Sequence, residues 1–88
     1  MSSENLPLGN AATELVVRSA AEVGDAVRSQ RKRLALTQAD IAGLGGIGNR
    51  FLVELENGKP TVQLQKVLDV MDLLGLELVL RPRTPRLP

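Results

Sequence analysis

Residues 36–59 read LTQADIAGLGGIGNRFLVELENGK, and the fold turns on what the glycines in this stretch are for. Gly43, Gly45 and Gly48 have the spacing G-x-G-x-x-G, which cradles a pyrophosphate when a buried strand leads in and a helix leads out. No strand pattern leads in here. Thr37 is followed by QADIAGL, where Ile41, Ala42 and Leu44 suit a short helix that Thr37 can cap. Asp40 in its first turn suits the positive end of the helix dipole. Beyond the glycines, NRFLVELE places Leu52 and Leu55 three apart on one face, with Phe51 beside them and Gly58 as a stop. Asp69 lies about 20 residues further on, where a nucleotide fold wants an acidic residue, but helical periodicity surrounds it. The flanks therefore argue against a dinucleotide site.

Two short helices joined by a tight turn and packed on a longer one make a helix-turn-helix. Such a turn needs a residue at positive φ, which Gly45 or Gly46 can supply. Gly48 falls at the N-cap of the second short helix, where glycine is acceptable though weaker than serine. Gly43, late in the first short helix, costs about 1 kcal/mol relative to alanine.

The flanking sequence supplies the longer helices. The chain opens with MSSENLPLGNAAT, polar, small and broken by Pro7 and Gly9, and we expect a flexible arm over residues 1–15. Glu14–Arg18 could form a short strand. Ser19 and Glu22 have capping-box spacing, and a helix is expected from there to about Leu34. Val23, Val27 and Leu34 line one face, with Ala20 and Ala26 allowing close approach. Downstream, Thr61 is expected to cap a helix over VQLQKVLDVMDLLG, whose Leu64, Val67, Leu68, Met71 and Leu74 recur at helical spacing until Gly75. LELVLR (76–81) alternates strictly, a strand pattern. We expect one domain over residues 16–81 and a flexible tail over 82–88.

Composition narrows the function. Eighty-eight residues make one small domain. Hydrophobic residues are 43% but aromatics only 1%, so the core must be aliphatic. A core this small is marginal alone, and dimerisation is a common remedy. With no cysteine and no histidine, disulfides, thiolate sites and imidazole catalysis are excluded. No acid, base, nucleophile or metal set assembles, so we expect no enzyme, cofactor, nucleotide or metal. No apolar run approaches a membrane span or an export signal, which makes a cytoplasmic protein the default. Net charge is +1, but Arg28, Arg31, Lys32 and Arg33 cluster, as do Arg81, Arg83 and Arg86. Such patches suit nucleic acid; on charge alone, a solvated helix face and a loose tail explain them equally well.

The stretch 36–59 resembles the phage-repressor, Xre-type helix-turn-helix, whose usual form is LTQ-x-ELA, then G-[VI], then T-[IV]-S-x-[IL]-ENGK. Leu36, Thr37, Gln38, Ala42, Gly46, Ile47, Leu55, Glu56, Asn57 and Gly58 match. Gly48, Phe51, Leu52 and Val53 stand where Ser, Thr, Ile and Ser are usual. ENGKPTVQLQKVLDVMDLLGLELVLRPR further resembles the HipB-like antitoxins, in which the fourth helix runs into a C-terminal strand. Together the two resemblances cover roughly residues 16–83. They imply a mainly α, lambda-repressor-like domain of four helices with a short C-terminal β-strand used for dimerisation. They also imply a homodimeric repressor of its own operon that binds a palindromic double-stranded operator, and a HipA-like Ser/Thr kinase toxin as partner. The kinase chemistry would be the partner's, because this chain has no VAIK, HRD or DFG motif. A stand-alone Xre-type regulator and a protein-interaction module that has lost DNA binding are the other readings.

With Leu52 and Leu55 facing inward, Asn49, Arg50, Val53 and Glu54 face outward, toward a major groove. Arg50 can pair with guanine and Asn49 with adenine; Glu54 can accept from cytosine or merely orient Arg50. Gln38, Gly48, Arg28, Lys32 and Lys59 are the phosphate candidates. The bland alternative for each charged or polar residue is a solvated surface. Phe51 reads as core, since duplex DNA offers no unstacked base. The resemblance implies an ion pair between Arg31 and Glu56 that orients the reading helix. Leu76, Leu78, Val79 and Leu80 are the expected dimer interface, two copies pairing antiparallel with Leu78 near the axis; the rival is an intrachain pairing with Glu14–Arg18, and the two can coexist in one sheet.

Overall fold

A computed structural model of the chain describes residues 14–83. Four helices follow in order: α1 (Ala20–Arg33), α2 (Gln38–Gly45), α3 (Asn49–Glu56) and α4 (Leu64–Leu73). The main helix contacts are α1 with α3, α2 with α3, and α2 with α4. Val27, Ile41, Ile47, Leu52, Leu55, Val67, Val70 and Leu74 form the buried core. Val23, Leu36, Phe51, Val62, Met71, Leu73 and Leu76 pack at its margin. Every helix contributes, but Leu34, Leu44 and Leu64, which the sequence pattern placed on the apolar faces, are exposed.

The starts of α1 and α2 are set by side-chain caps. Ser19 Oγ accepts from the Glu22 N–H at 3.1 Å. The Glu22 carboxylate accepts from the Arg18 N–H instead of closing a reciprocal box on Ser19. The reciprocal box forms at α2, where Asp40 N–H donates to Thr37 Oγ1 (3.0 Å) and Thr37 N–H donates to Asp40 Oδ2 (2.8 Å). The bond from the Thr37 N–H, and after it the Thr37 hydroxyl, holds the Asp40 carboxyl below its ordinary pKa. α4 starts later than its sequence suggests: Gln63, not Thr61, is the N-cap. The reason is Val62, which packs against the core and must precede the helix to do so. Val62 and Val67 occupy the two positions of a hydrophobic staple. Leu64, now in the first turn of α4, is exposed, and Val70 takes the buried position.

Three helices end the same way. The residue after each C-cap is left-handed: Ala35 (φ 60°), Gly58 (φ 83°) and Gly75 (φ 73°). The next N–H reaches back to the last turn, Leu36 to Arg31 O (3.1 Å), Lys59 to Glu54 O (3.0 Å) and Leu76 to Met71 O (2.8 Å). Gly46 (φ 67°) ends α2 and supplies the turn. Gly45 lies inside α2, where a Cβ would come 2.8 Å from Leu73 Cδ1.

Two expected strands are not present: among the described residues the chain forms helices and no strand. Leu76–Arg81 has the alternation of a strand but lacks the ladder of backbone hydrogen bonds that defines one, which needs a second strand alongside. Glu14–Arg18 does not supply that ladder, although an Arg81–Glu14 ion pair joins the two segments. Leu76 is half-buried against the core, while Leu78, Val79 and Leu80 are 47%, 58% and 88% exposed. Most of the proposed arm (residues 1–13) and tail (residues 84–88) lies outside the described residues.

Candidate nucleic-acid interface

α3 is an eight-residue helix whose two sides carry different chemistry. Leu52 and Leu55 are buried, and Asn49 and Arg50 are exposed. Val53 and Glu54 are half-buried beside them. The Arg50 side chain is 91% exposed; its Nε lies 3.4 Å from Glu54 Oε2, one helical turn away. Lys59 Nζ lies 3.3 Å from the other oxygen, Glu54 Oε1. The Lys59 hydrogen bond, aided by Lys59 and Arg50 charge, lowers the Glu54 pKa. Gly48 caps α3 without a side-chain bond, and a Cβ there would meet nothing within 4 Å. The first-turn N–H groups of α3 therefore have no side chain above them, an arrangement that suits an anion.

The C-terminal end of α3 is fixed by a buried ion pair. Arg31 Nε donates to Glu56 Oε2 (2.6 Å) and Arg31 Nη2 to Glu56 Oε1 (2.8 Å), a two-pronged geometry. The residues are 7% and 6% exposed. Arg31 Nη1 also donates to Leu36 O (2.8 Å), and Gln38 Nε2 to Glu56 Oε1 (3.1 Å). Burial opposes the Glu56 charge, but the bonds from Arg31 and Gln38 and the positive charges of Arg31 and Arg28 outweigh it, lowering its pKa. The Glu56 bond raises the Arg31 pKa against its own burial. Desolvation cancels much of the attraction in such a pair, so its main effect here is to fix α3 relative to α1 and α2.

Gln38 thus stands at the start of α2, bonded to the pair, with its side chain half-buried. Arg28 and Lys32 are exposed on α1, one turn apart. Phe51 packs at the core margin, and Lys66 Nζ sits 5.6 Å from its ring centroid, within cation–π range.

The Helix-turn-helix family model matches residues 27–80, which takes in the end of α1, all of α2 to α4 and the segment after them. The chain belongs to the helix-turn-helix family of DNA-binding transcription regulators. It is 48% identical over 59 residues to an uncharacterised HTH-type transcriptional regulator, y4mF, of Sinorhizobium fredii; the match covers 67% of this chain and 78% of the relative. Among solved structures, it is similar to a chain of a HipA–HipB–O2–O3 complex, with TM-score 0.75 and 20% identity over 81% of this chain and 100% of that one. A HipB–O4 20mer complex matches with the same TM-score, identity and coverage. At that identity the likeness is one of fold.

Two residues of this helix-turn-helix domain escaped the sequence reading. A Cβ at Gly24 would sit 2.3 Å from Leu55 O and 2.9 Å from Glu56 O, so α1 and the end of α3 meet backbone to backbone. The available signal was a glycine inside a helical pattern, which needs a packing reason. Gln30 is 4% exposed and donates from Nε2 to Leu74 O at 2.8 Å, satisfying a carbonyl at the end of α4. Its signal was a polar residue three positions beyond Val27, on the apolar stripe. No helix among the described residues is long and apolar enough to cross a membrane.

Proposed function

We propose that this chain is a sequence-specific repressor that binds a palindromic duplex as a homodimer and acts as the antitoxin of a HipA-like kinase. The observation that carries the DNA-reading part is the construction of α3. Its outer side offers Asn49 and Arg50 to solvent, while Gly24 and the Arg31–Glu56 pair hold its C-terminal end. A helix held from behind and polar in front suits a major groove. In this reading Arg50 takes guanine O6 and N7, Asn49 takes adenine, and Val53 and Glu54 line the same face. Gln38, the open N-terminus at Gly48, Arg28, Lys32 and Lys59 take phosphates.

Dimerisation would supply the missing ladder. The exposed Leu78, Val79 and Leu80, joined to the core through Leu76, form an apolar edge that a second copy can pair with antiparallel. The antitoxin role rests on two points: resemblance to HipB-like antitoxins, and a fold that matches the whole of a chain in a HipA–HipB complex. A stand-alone regulator is the second reading. The gene next to this one separates them: a kinase-like product that co-purifies with the chain supports the antitoxin, and a chain that purifies alone from its own operon does not.

Footprinting on DNA upstream of its own gene tests the repressor reading. Arg50→Ala should cost about 1–3 kcal/mol at the protected site and relax preference at one base pair. Gln38→Ala should weaken binding to all sequences alike. An unchanged preference in R50A would mean that α3 does not read through Arg50.

A further inference from the structure

Glu54 is placed between two cations, and each of its oxygens is occupied. Oε2 faces Arg50 and Oε1 faces Lys59. The backbone builds this arrangement. Arg50 is four residues back on the helix, and the Lys59 N–H bonds to the Glu54 carbonyl (3.0 Å) in the turn that ends α3. That bond brings the lysine back over the last turn. Its hydrogen bond also favours the charged form of Glu54.

We infer that Glu54 sets sequence specificity by penalty: it offsets part of the charge of Arg50 and Lys59 in the free protein and opposes any duplex that offers its carboxylate no donor. The inference rests on α3 being the DNA-reading helix. Binding to arbitrary DNA comes from cations replacing counterions on phosphates. Two cations already facing a fixed anion contribute less to that exchange. The carboxylate, carried to the groove with them, meets phosphates of its own sign and loses water. At a site with a cytosine amino group in reach, the carboxylate gains a donor and Arg50 is released to a neighbouring guanine. Elsewhere its only partners are Arg50 and Lys59, so each phosphate those cations take removes a donor from the carboxylate. Glu54 therefore lowers affinity for all duplexes, and least for the matching one. Discrimination of this kind comes from what is repelled as much as from what is held.

Glu54→Gln keeps the shape and removes the charge. The test is a titration of wild type and E54Q against the duplex protected upstream of the gene and a scrambled duplex of equal length, over a series of salt concentrations. E54Q should bind the scrambled duplex about threefold to thirtyfold more tightly, the range expected when two surface pairs no longer compete. The slope of log K against log salt should steepen by about one. The ratio of affinities for the protected and scrambled duplexes should fall. Lys59→Met should weaken scrambled binding more in the E54Q background than in wild type, because only there is the lysine free. The inference is overturned if E54Q leaves scrambled binding and salt slope unchanged, if it weakens both duplexes alike, or if the Lys59→Met effect is the same in both backgrounds. A wild-type protein that binds neither duplex at low salt would instead overturn the DNA-reading proposal itself.

Discussion

Gly24→Ala should destabilise the protein although it replaces glycine with the best helix former. A Cβ on residue 24 lies 2.3 Å from Leu55 O, inside the 3.0 Å that real Cβ atoms keep, so the contact must open by roughly 0.7 Å. The carbonyl cannot simply tilt away, because it accepts the Gly58 N–H at 3.0 Å in the turn that closes α3. Glu56 O, at 2.9 Å, blocks the other direction. The remaining response is to separate α1 from α3, which loosens Val27, Leu52 and Leu55 at the centre of the core. Overpacking of this kind costs about 1–3 kcal/mol, and a fixed backbone neighbour puts it at the upper end. Helix propensity returns about 1 kcal/mol, leaving a net loss of about 2 kcal/mol. That corresponds to a fall in Tm of about 8–16 °C for a domain of this size. Gly43→Ala is the control. It is also helical, a Cβ there meets nothing within 4 Å, and it should gain up to about 1 kcal/mol. Thermal and urea unfolding followed by circular dichroism, at one protein concentration, compares the two. The reasoning is refuted if G24A melts at or above wild type, or if both variants shift in the same direction.

Arg31→Met alone and Glu56→Leu alone should each destabilise by about 3–5 kcal/mol, since each strands a buried charge, whereas the double variant should cost clearly less than their sum in urea unfolding. Additive losses would show that the pair carries no coupling. The depressed Glu56 carboxyl also sets a pH dependence. Its stabilisation is complete above the unfolded value of about 4.3 and disappears as pH falls through the lower folded value. Melting temperatures of wild type minus Glu56→Gln should therefore converge below about pH 4; a constant difference down to pH 2 would contradict the assigned shift. Truncation after Gly75, or Leu78→Asp, should leave the four helices folded by circular dichroism and sediment as monomer at micromolar concentration. A truncated chain that remains dimeric places the interface elsewhere, with α4 the first place to look.

The helices were legible where their signals are local. Ser19, Thr37, Gly46, Gly58 and Gly75 act within a turn of their own position, and the apolar spacing of α1 to α4 reports one face each. What lay beyond reach depended on a neighbour distant in sequence. The start of α4 moved from Thr61 to Gln63 because Val62 is claimed by the core. Gly24 and Gln30 have meaning only once α3 and the end of α4 are known to face them. Ala35 at φ 60° is a helix stop without the expected glycine, placed there by two backbone bonds in the turn after α1. The alternation at 76–81 was plain, but a ladder needs a second strand that these residues do not find in the single chain. At the interface, spacing alone placed Asn49 and Arg50 opposite Leu52 and Leu55. Residues 25 apart give no such signal, and the Arg31–Glu56 contact entered only through the resemblance.

The fixing of α3 at one end by Gly24, Arg31 and Glu56 has a consequence for how this protein can diverge. None of the groups that hold the helix is among those it presents, since Asn49 and Arg50 make no contribution to the core. Mutation can therefore rewrite the outward residues with little loss of stability, while single changes at residues 24, 31 or 56 destabilise the fold whatever their effect on recognition. Lineages descended from this chain should keep the scaffold residues and drift at the surface, each copy acquiring a new target by a few substitutions. The same division makes the domain a practical frame for grafting chosen recognition residues onto positions 49 and 50.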